Sequence, residues 1–402
     1  MRVIDLFAGC GGLSLGLVQS GYDIVAAFEI DRFAADTYEF NHPGISVIRG
    51  DVRQLTSQFF AHEFRGTIDL VVGGPPCQGF SVSGNRQYGT FNRQNELVLE
   101  YLRIVHAVRP KYVLMENVGG FRTARINPKQ GALAAVTCGL QKQGYHVYKA
   151  VLQAADFGVP QYRTRIFIVG SSTELRLNPF PLSTHSRSGQ GVHPHISVWD
   201  AISDLPQIHA GEGEECQQPY TDQPFTSYQA TLRKRSKGVF NHVAMKHTPR
   251  LIARFASIPA GGSGYDIGRV RRVRDKVVTV YKMNNQRLRS DLPSLCITAN
   301  FQSNYIHPKL NRNLTAREAS RIMSFPDSFV LKGKRTLMSA SLLRAEGRHE
   351  ENFLSQYNQL GNAVPPLLAR KIGECLLEAA AAKQSSMVGY RSSSSLQTAL
   401  FQ

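Results

Sequence analysis

The first 170 residues switch repeatedly between two hydrophobic periods, and that alternation leaves few architectures open. Short apolar runs near residues 2–7, 23–28, 46–49, 68–72, 112–115, 146–152 and 165–169 read as strands. Amphipathic stretches near 13–20, 32–41, 96–108 and 131–143 fall between them and read as helices. Strand–helix alternation of this kind predicts an α/β domain, a doubly wound and mostly parallel sheet. Such sheets place their ligands past the carboxyl ends of the strands, so the residues following each apolar run carry the functional information.

The run at 68–72 is stopped by Gly73-Gly74-Pro75-Pro76-Cys77-Gln78-Gly79-Phe80-Ser81. Two prolines fix their own backbone and carry no N–H, so they hold Cys77 on a stiff turn. A cysteine there is either a nucleophile or a small buried apolar residue. The first turn, Asp5-Leu6-Phe7-Ala8-Gly9-Cys10-Gly11-Gly12, passes from strand to helix through three glycines, so the backbone can approach a ligand closely. Glu29 ends the second strand, where an acid can take both ribose hydroxyls, and Asp51 follows the third. These residues read either as an adenosine site or as ordinary turns with polar ends. The turn lacks the Gly-x-Gly-x-x-Gly spacing of dinucleotide sites, and Asp5, Glu29 and Asp51 suit a cationic cofactor. S-adenosylmethionine, with its sulfonium charge, fits that description.

After Cys77, residues 79–89 are polar and glycine-punctuated, a closing loop or a solvated one. Glu116 ends the strand near 112–115, on the sheet edge that carries Cys77, where a carboxyl and a nucleophile could work together. Arg163 and Arg165 lie two apart on a strand and point the same way, as suits a polar ring, a phosphate or a solvated basic face.

A net charge of +17 favours a polyanionic partner. No apolar run approaches the ~20 residues needed to span a bilayer, so nucleic acid is favoured over membrane. The six cysteines are scattered without zinc spacing, which predicts a reducing cytoplasm, no disulfide framework and no metal. His193, His195, His242 and His247 read as loop histidines. The chain opens directly in a strand-like segment, so no leader is expected.

Asp5-Leu6-Phe7-Ala8-Gly9, Pro75-Pro76-Cys77-Gln78, Glu116-Asn117-Val118 and Gln161-x-Arg163-x-Arg165 occur in that order, followed by Arg312-Asn313-Leu314-Thr315-Ala316-Arg317-Glu318, Phe325-Pro326-Asp327 and Gln359-Leu360-Gly361-Asn362-Ala363-Val364-Pro365-Pro366. Together they resemble the DNA cytosine-5 methyltransferases of bacterial restriction-modification systems. The resemblance implies a Rossmann-like S-adenosylmethionine domain (1–181, with a returning helix at 355–382), a smaller irregular target-recognition domain (182–354) and a flexible tail (383–402). It implies that Cys77 adds to carbon 6 of a flipped-out cytosine, that Glu116 contacts the ring nitrogen, and that Arg165 with Arg163 holds the carbonyl oxygen. Phe7 would stack on adenine, Glu29 would take the ribose, and Asp51 and Val52 would read the adenine edge. Ala8, Gly9, Gly11, Gly12, Ile30, Pro75, Asn362 and Ala363 would complete the cofactor site. Gln78, Ser81 and Arg86 would meet the substrate, double-stranded DNA.

Basic clusters at 233–237, 269–274 and 287–289 suit phosphate contacts. A basic insert at 332–353 reads as a surface helix or an extra DNA contact. A monomer is expected, with a cognate restriction endonuclease acting on the same site. The rivals are a transfer-RNA cytosine methyltransferase, an amino-group methyltransferase, which Cys77 argues against, and a catalytically dead DNA binder.

Overall fold

The computed structural model describes residues 1–76, 96–127, 130–268, 270–273, 276–279, 284–299, 301–336, 343, 347 and 353–382. Seven strands form the central sheet: β1 (Arg2–Leu6), β2 (Asp23–Glu29), β3 (Ser46–Arg49), β4 (Leu70–Gly73), β5 (Tyr112–Val118), β6 (His146–Gln153) and β7 (Thr164–Ser171). They lie in the order β3-β2-β1-β4-β5-β7-β6. The first five pair in parallel, and β7 alone runs against both its neighbours. The doubly wound, mostly parallel sheet read from the alternation is therefore present. Chain reversal between β1 and β4 brings the ends of β1, β2, β4 and β5 to one edge, the place where such sheets bind ligands.

Because both faces are covered, the strands bury side chains in both directions. One face sends Ile4, Leu6, Phe28, Val71, Val113 and Met115 against Phe60, Val98, Tyr101 and Val136. These belong to α3 (Ser57–Phe64), α4 (Glu96–Val108) and α5 (Ala132–Lys142). The sequence reading did not include α3, although Thr56 caps it by accepting from the Phe59 N–H, a contact worth about 1 kcal/mol. The other face sends Val3, Leu70, Val72, Leu114 and Phe167 against Leu13 and Leu17 of α1 (Gly12–Gln19). Leu368, Ile372 and Leu376 join that layer from the far end of the chain. Each is fully buried and stabilises the contact by roughly 1.5–3 kcal/mol. Polar latches add to it: Ser20 Oγ donates to Arg370 O at 3.0 Å and the Tyr22 hydroxyl to Gly373 O at 3.0 Å. α2 (Arg32–Asn41) starts one turn after β2 and is capped by Asp31.

From about residue 182 regular structure shrinks to pairs of two- to four-residue strands and short helices: α6 (Val198–Ile202), α7 (Ser227–Arg233), α8 (Pro249–Ala256) and α9 (Ala316–Ile322). α6, α7 and α9 share a core with α10 (Gln356–Asn362), α8 packs separately against Ile258 and Ile306, and α11 (Pro366–Ala381) carries the latches on the sheet. The core of this region joins Val198, Ile202, Tyr228, Leu232, Leu314, Ile322, Phe325 and Tyr357. A buried ionic lattice runs through it. Arg321 bridges Asp204 at 2.5 Å and Asp327 at 2.7 Å, and Arg312 grips Glu318 at 2.7 Å.

Several basic side chains expected to face phosphate are turned inward instead. Arg233 pairs with Asp204 at 3.0 Å and lies over the Tyr220 ring, while Arg287 donates to the carbonyls of Ile258, Phe255, His307 and Leu310. Carbonyls in an irregular core have few other donors, and a guanidinium supplies five. His242 is likewise no solvated loop histidine: it is buried, with Nδ1 at 3.0 Å from Thr315 Oγ1 and Nε2 at 2.8 Å from Pro206 O. Among the described residues no group of three His, Cys, Asp or Glu could hold a metal ion, and no helix is long and apolar enough to cross a membrane.

Candidate active site

The sheet edge gathers the sequence candidates around two centres. At the first, β1 is followed by Phe7, whose φ of 58° is left-handed and costly for a residue with a Cβ. Gly9 follows at φ 56°, and a Cβ there would meet no heavy atom within 4 Å, so space lies open beside this backbone. The Gly9 N–H donates to Glu29 Oε2 at 2.7 Å, and the Asp31 N–H donates to Glu29 Oε1 at 2.7 Å. Two strand ends thus fix one carboxylate, each oxygen keeping lone-pair capacity for a further donor. Burial nonetheless pushes the Glu29 carboxyl up, against those two N–H groups. Ile30, one residue on, is largely exposed, Phe7 is half-buried, and Ala8 is buried beside them.

Behind Glu29 lies Asp5, fully buried and raised to about 7 by desolvation, with the Ser14 hydroxyl donating to it at 2.6 Å and Glu29 adding repulsion. Tyr38 donates to Ser14 in turn at 2.7 Å. Nothing in the sequence joined Tyr38 to this turn, since α2 brings it there from 24 residues beyond Ser14. Two undercompensated acids beside open backbone fit a cationic adenosine cofactor: Glu29 for the ribose, with Phe7 and Ile30 offering apolar contact to the adenine. Asp51 caps a short turn at Arg53 N, and both of its oxygens are held by the Arg53 guanidinium, which pulls its pKa down. Val52 is buried in the apolar layer.

The far chain end closes this centre. Gly11 and Gly12 open α1 without a side-chain cap, and a Cβ on Gly12 would meet Val364 O at 2.3 Å. Asn362 is exposed there and Ala363 is buried, while Cys10 Sγ lies 3.7 Å from Gln359 O.

At the second centre, Glu116 near the end of β5 is buried and receives Arg165 Nε at 3.0 Å. Burial raises the Glu116 pKa, while Arg165 and Arg163 pull it back only in part. The turn that leads toward Cys77 passes directly over this pair. A Cβ on Gly74 would come within 3.2 Å of Glu116 Oε2, so a side chain there would press on the carboxyl and shift it by a few tenths of an ångström. Asn117 Nδ2 donates to the carbonyl of buried Pro75 at 3.1 Å and pins that turn. Asn117 thus positions the backbone two residues before Cys77. Cys77, Gln78, Ser81 and Arg86 lie outside the described residues.

Arg163 is placed otherwise than the alternation suggested. It lies just before β7 and fully buried, its Nη1 donating to Ile297 O at 2.7 Å and its Nη2 to Gly361 O at 3.0 Å and Ala363 O at 2.8 Å. Burial pulls it down to about 10. A guanidinium committed to three carbonyls has little left for a base.

A family model described as C-5 cytosine-specific DNA methylase matches residues 1–378. The type II methyltransferase M.DdeI of Desulfomicrobium norvegicum is 42% identical over 380 residues, covering 93% of this chain and 88% of that protein. M1.HphI of Haemophilus parahaemolyticus, also a type II methyltransferase, is 33% identical over 381 residues, covering 94% of this chain and 87% of its own. Among solved structures, one described as a DNA modification methyltransferase encoded within an Escherichia coli prophage aligns with a TM-score of 0.67 at 24% identity. It covers 94% of this chain and 99% of its own, and it supports the fold alone.

Proposed function

The chain belongs to the C-5 cytosine-specific DNA methylases, S-adenosylmethionine-dependent enzymes acting on DNA, and we propose that it does its chemistry through Cys77, Glu116 and Arg165. One observation carries this reading: a buried, undercompensated carboxyl held by an arginine lies beneath the stiff turn that delivers the cysteine.

Carbon 5 of cytosine is a weak nucleophile. The Cys77 thiolate forms a bond to carbon 6, and the ring electrons move onto the amidine system. Glu116, whose hold on a proton burial strengthens, donates a proton to the ring nitrogen as that charge develops, and general-acid assistance of this kind is worth about 10²–10⁴ in rate. Arg165 holds the carboxyl in place and offers its remaining N–H groups to the base's carbonyl oxygen. S-adenosylmethionine, when bound, supplies the electrophilic methyl group that carbon 5 takes. Loss of the carbon-5 proton to a base then returns the electron pair and expels the Cys77 thiolate. The cytosine must leave the duplex first, at a cost of a few kcal/mol. Gln78, Ser81 and Arg86 are proposed to meet the DNA during that step.

In this reading residues 1–181 and 355–382 form the catalytic domain, and 182–354 face the DNA and select a short sequence. The enzyme acts in the cytoplasm as a monomer and protects sites cut by a partner endonuclease, a role supported by the type II methyltransferases it resembles. The test is to incubate the protein with S-adenosylmethionine and unmethylated bacterial DNA, then sequence the bisulfite-converted product. Protection of cytosines within one short motif is expected. Cys77→Ala should lose all transfer, and retained turnover in that variant would sink the covalent route.

A further inference from the structure

Resting on that reading, we propose that Arg163 is a positioning residue that ties the segment completing the cofactor site, 361–363, to the DNA-facing segment 294–297. Three chain segments meet at its guanidinium. From the sheet come residues 160–163, which bind the second segment along their length. Tyr162 N donates to Ser294 O at 2.8 Å, Ser294 N to Pro160 O at 2.9 Å, and Ile297 N to Gln161 Oε1 at 3.1 Å. Gln161 Nε2 meets Met323 Sδ at 2.7 Å, anchoring the same strand end to the residue that follows α9.

From the third segment, Gly361 packs so closely that a Cβ there would lie 2.2 Å from Ala299 N, and Asn358 Nδ2 donates to Ala299 O at 2.7 Å. The three carbonyls that converge on Arg163 belong to Ile297, Gly361 and Ala363, one from the DNA-facing side and two from the cofactor side. Cys296 Sγ adds only a weak contact to Ile297 O at 3.8 Å, and unpaired buried carbonyls are costly. Two residues on, Arg165 holds Glu116. A shift at 361–363 is thus passed through one rigid, forked cation to 294–297 and to the strand end that aims Arg165. The fork matters: a lysine ammonium is a point donor and cannot span both sides.

The test uses the full-length protein and S-adenosylhomocysteine as a non-reactive cofactor probe. Arg163→Lys should weaken its binding about tenfold and raise the KM for S-adenosylmethionine in parallel, with kcat at saturation falling no more than ~3-fold. Arg165→Lys should do the reverse, losing about 100-fold in kcat at nearly constant cofactor affinity. If Arg163→Lys instead loses kcat with cofactor affinity intact, Arg163 touches the base and the proposal is overturned. A second measurement needs no variant and holds even if Arg163→Lys fails to fold. Hydrogen exchange of the wild-type protein should slow at 294–297 together with 361–363 when the probe is added. Protection confined to 361–363 would overturn the tie. A wild-type protein that binds no probe at all would refute the cofactor reading itself, and the tie with it.

Discussion

The sheet domain and the region beyond residue 182 bury charge in opposite ways. In the second region each buried carboxylate is matched: Arg321 lies between Asp204 and Asp327, and Arg312 lies on Glu318. Burial would push Glu318 up, yet Arg312 and His307 hold it well below the usual carboxylate range. At the sheet edge Glu116, Glu29 and Asp5 are just as buried, and all three are raised because desolvation outweighs their partners. Matched charges tie together a region with little regular structure. Undercompensated ones store an unfavourable interaction that a proton, a base or a cationic ligand can relieve.

Substitution at the two kinds of site should separate activity from stability. Glu116→Gln removes the proton donor and with it an ionisable group whose charged form burial disfavours. Its kcat should fall about 10²–10⁴-fold while its urea midpoint stays level or rises. Arg321→Met should behave in the opposite sense. It removes the cation that Asp204 and Asp327 share, leaving them Arg233 at 3.0 Å and Arg317 at 3.7 Å, a loss of about 3–5 kcal/mol that urea titration would register. Equal destabilisation by the two variants would dissolve the distinction drawn between the regions.

The sheet region was legible because its rules are local. Period-two runs, amphipathic helices and abrupt glycine–proline stops placed Glu29, Glu116 and the turn before Cys77 at one edge, and the sheet bears that placement out for the first two. The arginines were not legible, because a side chain's sequence neighbours do not say whether it finds a phosphate or a carbonyl. Arg233, Arg287 and Arg163 all lie in stretches that read as facing phosphate, a polar ring or solvent, and all three turn inward toward carbonyls or carboxylates 11 to 200 residues away. The roles of Asn117 and Tyr38 were not legible for the same reason, since their contacts are made only by the folded chain.

Asp5 tests the undercompensated class by pH. Its carboxyl is raised from 3.8 to about 7, so the native state binds the proton more tightly than the unfolded chain does. The stability tied to that proton is complete below about pH 4 and is lost as pH rises through about 7. By 1.36 kcal/mol per unit, the loss is at most about 4 kcal/mol. Asp5→Asn keeps an acceptor for Ser14 and has no such proton to lose. The difference in urea midpoint between variant and wild type should therefore favour the variant increasingly from pH 4 to pH 8. A constant difference would mean that Asp5 is compensated after all.

The smallest effect is expected where the two regions touch. Asp31 divides its two oxygens: Oδ1 caps α2 at Ala34 N, 2.9 Å away, and Oδ2 accepts from Leu354 N at 2.6 Å, at the end of the basic insert. Its own N–H holds Glu29, so one residue links the cofactor acid to the returning chain. Asp31→Ala should cost about 1 kcal/mol through the lost cap and raise the cofactor KM severalfold at unchanged kcat. Its backbone N–H still reaches Glu29, which keeps the effect small. Asp31→Asn separates the two roles, because an amide has one acceptor oxygen and must turn its N–H₂ toward either Ala34 or Leu354. Stability restored with KM still raised would show that the Leu354 contact, and not the helix cap, places Glu29. Both restored would leave the cap as the whole effect, with the returning chain exerting no hold on the acid.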